Sequence, residues 1–201
     1  MLRLVVAFLP WIIFAALGDR HFLAALFLAL VAAAVTTMRQ IMRRSLKILD
    51  SVTLAFFVFI AIGLVGFDWM LLASYMTILV NFTLTAIAWG SLLVGTPFTI
   101  QYAREQVAPE LWRTRLFLRI NQYISAVWGV AFFLSGLISV YRHATGDSSF
   151  VSQYAWVLLS LGAALVTVYF PDWYRARLSN QVLGRGGNPS HTPGNSDDPG
   201  Q

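Results

Sequence analysis

The chain has 201 residues, 58% hydrophobic and 11% charged, with a formal net charge of +5. A soluble domain normally carries about a quarter charged residues, so this shortage excludes an ordinary aqueous fold and points to a membrane solvent. The lack of cysteine removes disulfides, thiol nucleophiles, iron–sulfur clusters and Cys-ligated zinc, and the positive balance suits loops on one side of a bilayer better than nucleic acid.

A helix needs about 17–25 apolar residues to cross a hydrocarbon core of about 30 Å. Six runs come near this, over about 4–18, 22–38, 52–67, 69–94, 116–141 and 150–170. The first is the weakest, being short and carrying Pro10 and Trp11 at its centre. It also has the outline of a cleaved signal peptide ending at Ala16-Leu17-Gly18, although a central Pro-Trp is unusual there. A shallow or re-entrant segment is a further reading. After the second run, residues 39–50 read as a helix continuation, with Arg43, Arg44 and Lys47 at helical spacing and suited to the headgroup layer. After the fourth, Thr96-Pro97 predicts an N-cap and first helical position, with a short helix through about Val107, and Ala108-Pro109-Glu110 repeats the signal. Tyr102 and Trp112 read as interfacial rings. Gly18-Asp19-Arg20-His21, Gly66-Phe67-Asp68-Trp69 and Thr145-Gly146-Asp147 read as tight turns at the other side.

The expected fold is therefore all-α, a polytopic transmembrane helical bundle of about six spans with short loops over residues 1–178. Residues 179–201 are expected to form a disordered cytoplasmic tail, because Gly, Pro, Ser, Asn and Asp dominate after Gly184. Threading the runs as alternating spans puts twelve of the fourteen Arg and Lys on one side, with Arg20 and Arg142 opposite. Basic loops stay in the cytoplasm, which predicts both termini inside.

Chemistry-bearing residues are few. Ser74, Thr77, Asn81 and Thr85 share one face of the fourth run and predict an interhelical polar contact, since an unpaired amide in hydrocarbon is costly. A polar passage for a small-molecule carrier is the alternative. Ala25, Ala29 and Ala33, and likewise Ser125, Gly129 and Gly136, form small-residue stripes that suit packing seams within the chain or between two copies. No ionisable residue is expected deep in a span, which weakens an ion-coupled transporter. His21, His143 and His191 fall in turns or the tail, so no cofactor or metal is expected. Arg104, Glu105, Glu110, Arg113, Arg115 and Arg119 read as a solvated charge cluster rather than a catalytic set. Arg39, Arg43, Arg44, Lys47, Arg113, Arg115 and Arg119 form the candidate docking face for anionic lipid headgroups or a partner protein.

The layout resembles the intracellular septation protein A family of small bacterial inner-membrane proteins. The likeness begins at Phe8-Leu9-Pro10, continues through the basic loop after the second run and Thr96-Pro97-Phe98, and ends at Trp128, Phe132, Phe133 and Gly136. It covers about residues 8–142 in order and topology. Asn121 lies two turns earlier than the family's Asn, and Ser139 stands near its later one. The resemblance implies a non-enzymatic role in envelope maintenance and septation at the bacterial inner membrane, with contacts to cell-division or envelope proteins.

Overall fold

The computed structural model describes residues 2–18, 21–66, 70–147 and 149–186, and every element among them is helical. In order these are α1 (Leu2–Leu17), α2 (Phe22–Met42), α3 (Ile48–Ala61), α4 (Met70–Ser74), α5 (Met76–Leu93), α6 (Phe98–Ala103), α7 (Arg115–Thr145) and α8 (Phe150–Gly186). A π turn, Ile62–Gly66, extends α3, and two 3₁₀ turns, Arg104–Gln106 and Pro109–Leu111, join α6 to α7.

Four helices are long and apolar enough to cross a membrane: α2, α5, α7 and the Phe150–Arg177 part of α8. The first and third expected spans come out shorter, as apolar helices Val6–Leu17 and Ile48–Leu64. The 16 residues of α1 rise only about 24 Å, less than a hydrocarbon core. The fourth expected span is broken at Tyr75, whose φ of −99° and ψ of 4° form a turn between α4 and α5. Its long helix therefore starts at Met76. In place of a tail from residue 179, α8 continues to Gly186; residues 187–201 lie outside the described residues.

Named contacts fix the helix directions. Phe14 meets Phe22, and Thr37 bonds the Asp50 carbonyl, so α2 runs against α1 and α3. Trp11 donates to Thr53 while Phe14 packs on Phe57, so α1 and α3 run parallel. The Tyr75 ring packs at a tilt on His143, centroids 4.3 Å apart, which sets the start of α5 beside the end of α7. Trp128 donates to Thr167 and Tyr123 packs on Tyr174, so α8 returns along α7. The start of α1, the ends of α2, α5 and α8, and the starts of α3 and α7 thus gather at one end with most of the Arg and Lys.

The two small-residue stripes are seams inside this bundle. Ala25, Ala29 and Ala33 are fully buried, and α2 packs on α1 and α3. A Cβ on Gly129 would lie 2.8 Å from Trp89 Nε1, and one on Gly136 would lie 3.2 Å from Phe82. A side chain at either place would therefore push against the Trp89 or Phe82 ring, and dispersion between the closely approaching helices holds α5 and α7 together where lipid offers no hydrophobic driving force. Around α1 the core is aromatic: Phe8 stacks on Trp128 at 5.0 Å, and Trp11 sits 5.1 Å from both Phe56 and Phe57. Pro10 is buried within α1 beside these rings, where packing offsets the helix bond it cannot donate. One face of α8, including Leu158, Leu161 and Leu165, is exposed and apolar, as a lipid-facing surface requires.

Candidate functional site

The basic end is closed by α6, which is inserted into the bundle. The helix starts one residue later than expected, and its first amide is capped by another helix. Pro97 is the N-cap and has no side-chain acceptor; the Phe98 N–H donates to Ser91 Oγ of α5 at 3.0 Å, while Thr96 is exposed. Thr99 Oγ1 donates to the Asn121 carbonyl (3.1 Å) and shares a 2.9 Å hydrogen bond with Ser125 Oγ. Ser125 lies ten residues past Arg115, about 15 Å into α7. Polar groups of a non-spanning segment at such a depth persist only when protein groups satisfy them, and here Ser91 takes the first α6 amide while Asn121 and Ser125 hold the Thr99 hydroxyl.

On its other side α6 is clasped to α3 by buried charge. Tyr102 Oη donates to Asp50 Oδ2 at 2.5 Å. Lys47 Nζ lies 2.8 Å from Glu105 Oε1 and 4.3 Å over the Tyr102 ring. Asp50 is 2% exposed and Lys47 7%. Two glutamines on other helices cap the start of α3: Gln101 Oε1 of α6 accepts the Ile48 N–H at 2.8 Å and Gln40 Oε1 of α2 accepts the Lys47 N–H at 3.0 Å. Asp50 stands in the first turn of α3, where the helix dipole favours a carboxylate. Burial, and then the neighbouring Asp50 charge, push the Tyr102 hydroxyl well above its ordinary range, so it remains a proton donor.

Several expectations change here. Residues 39–50 are not one helix: α2 stops at Met42, Arg44 adopts a left-handed φ of 51°, and Lys47 is extended. The turn folds Lys47 inward onto Glu105, so Lys47 leaves the proposed docking face. Tyr102 is buried rather than interfacial, whereas Trp112 is half-buried, donates to the Val107 carbonyl (2.9 Å) and carries the Arg104 guanidinium at 5.5 Å. Arg39, Arg43, Arg44, Arg113, Arg115 and Arg119 are exposed at the basic end.

Asn81 is 7% exposed; its amide donates to the Thr77 carbonyl (2.8 Å) and reaches Ser139 Oγ of α7 at 3.5 Å. Thr85 bonds the Asn81 carbonyl within α5, and the side chains of Ser74 and Thr77 are exposed. The expected polar face therefore narrows to Asn81 at the α5–α7 contact. His21 is exposed, His143 packs against the Tyr75 ring, and His191 lies outside the described residues.

No motif in the sequence marks Asp50, Gln101 or the Tyr102 hydroxyl as partners. A local signal existed for Asp50, an acid three residues after a lysine at the mouth of an apolar run. Its burial depends on α6, about fifty residues away. Compared with models of known protein families, with characterised proteins and with solved structures, the chain matches none.

Proposed function

We propose that the chain is a non-enzymatic integral protein of the bacterial inner membrane, crossing six times with both termini in the cytoplasm. Its basic end serves as a docking face for anionic lipid headgroups and partner proteins. The resemblance to the septation protein A family supports placing this role in envelope maintenance or septation. The excess of basic residues at one end supports the orientation. The two short apolar helices, α1 and α3 with its π turn, serve as the additional crossings, in line with the alternating directions of their neighbours.

One observation carries the choice of a scaffold over a carrier: α7 seals the Asn81 face. A carrier needs a watered cavity at that amide. Asn81 is buried instead, with Gly136 of α7 close enough that an added Cβ would contact both Phe82 and Asn81. Replacing Asn81 with Leu is expected to lower stability by about 0.6 kcal/mol, the mean for such bonds in membranes. Proteoliposomes holding the wild-type chain should admit glycerol and urea no faster than protein-free vesicles. Fast entry that Asn81→Leu abolishes in a folded protein would favour the carrier.

A further inference from the structure

Near the basic end, the last turn of α5 and the first turns of α7 leave an open groove of about 550 Å³, lined by Leu92, Arg119, Gln122, Tyr123 and Ala126. Its wall is graded along α7. Arg119 sits one turn inside the exposed Arg115, and Ala126 lies seven residues further, about 10 Å deeper. Gln122 and Tyr123 come between them, and Leu92 completes the apolar floor. Tyr123 is braced by Phe170 at 5.7 Å and Tyr174 at 6.1 Å on α8, so this wall is pre-formed. Among the described residues Arg119 has no carboxylate within ion-pair distance.

A cation above an amide and a phenol, with apolar surface continuing toward the membrane interior, matches a phospholipid read from phosphate to acyl chain. We propose that this groove holds one anionic phospholipid of the surrounding bilayer, with Arg119 on the phosphate and an acyl chain over Leu92 and Ala126. The guanidinium fork suits phosphate oxygens, and with Arg115 one turn away an ethanolamine ammonium is repelled where a glycerol headgroup is not. The assignment rests on the membrane reading above.

The test is intact-mass spectrometry of the full chain in mild detergent, with phosphatidylglycerol or phosphatidylethanolamine added. One phosphatidylglycerol should stay bound, and inorganic phosphate should not displace it. Arg119→Gln should lower its retention about ten-fold, the factor carried by one charge-assisted hydrogen bond. Arg142→Gln, at the opposite end, should leave retention unchanged. Ala126→Trp keeps Arg119 but fills the floor, and should also expel the lipid. Equal retention of the two lipids, release by phosphate, or an unaltered complex in both groove variants would overturn the proposal. A chain that leaves the membrane fraction on alkaline washing would instead overturn the membrane reading itself.

Discussion

Replacing Lys47 with Met is expected to destabilise the bundle by about 2–3 kcal/mol, and Tyr102→Phe by about 1.5–3 kcal/mol. Breaking a buried ion pair costs about 3–5 kcal/mol when the remaining charge is trapped. Here the Glu105 side chain is 22% exposed and can turn toward water, which lowers the figure. The Tyr102 change is the cleaner probe. It keeps the ring and deletes only the hydroxyl, leaving the Asp50 carboxylate 2% exposed without that donor. Tyr102→Ala, which also removes the ring beneath the Lys47 ammonium, should be non-additive with Lys47→Met in a double-mutant cycle, coupled by about 0.5–3 kcal/mol.

The same hydroxyl gives an alkaline signature. Its proton is held more tightly in the folded chain than in the unfolded one, where tyrosine titrates at about 10. Above that value the unfolded state loses a proton that the folded state keeps. The contribution of Tyr102 is therefore full below about pH 10 and declines as pH rises further. Unfolding in mixed detergent–SDS micelles measures both effects. Wild type should lose more stability than Tyr102→Phe between about pH 10 and 11, and equal slopes would show that the hydroxyl does not sit in the clasp.

Phe57→Ala is expected to cost about 2–4 kcal/mol in the same measurement. Phe57 is fully buried, with ring centroids 5.1 Å from Trp11, 5.9 Å from Phe14 and 5.4 Å from Phe56. Each aromatic pair contributes about 0.5–1.5 kcal/mol beyond burial. In water the same truncation would also forfeit transfer free energy. In a bilayer an unpacked helix already surrounds Phe57 with hydrocarbon, so only the cavity and the lost ring contacts count. Phe59→Ala on the exposed face of the same helix should change stability little, and similar losses for the two would contradict the packing.

Local signals made the helical content and the seams legible. Long apolar runs required helices, alanine and glycine at helical spacing marked close approach, and Ala108-Pro109-Glu110 marked a helix start. Three features were not legible because they depend on distant contacts. The break at Tyr75 interrupts an apolar run with no proline or glycine to announce it. The turn through Arg44 places a non-glycine residue at positive φ, against its intrinsic preference, so the pattern favoured a continued helix. Insertion of α6 requires Ser91 to accept the Phe98 amide and Thr99 to pair with Asn121 and Ser125, and partners spread over 35 positions give no periodic signal. Asp50, Lys47 and Tyr102 are buried only because of that insertion, which is why they read as surface or interface residues.

The proposed orientation turns the basic end of this bundle to the cytoplasm. The chain has no cysteine, so single substitutions report on accessibility directly. Thr96 is exposed at the basic end and Thr145 is exposed at the opposite end. In spheroplasts, a membrane-impermeant maleimide should label Thr145→Cys and should reach Thr96→Cys only after the membrane is opened. Labelling of Thr96→Cys in sealed spheroplasts, with Thr145→Cys protected, would contradict the account.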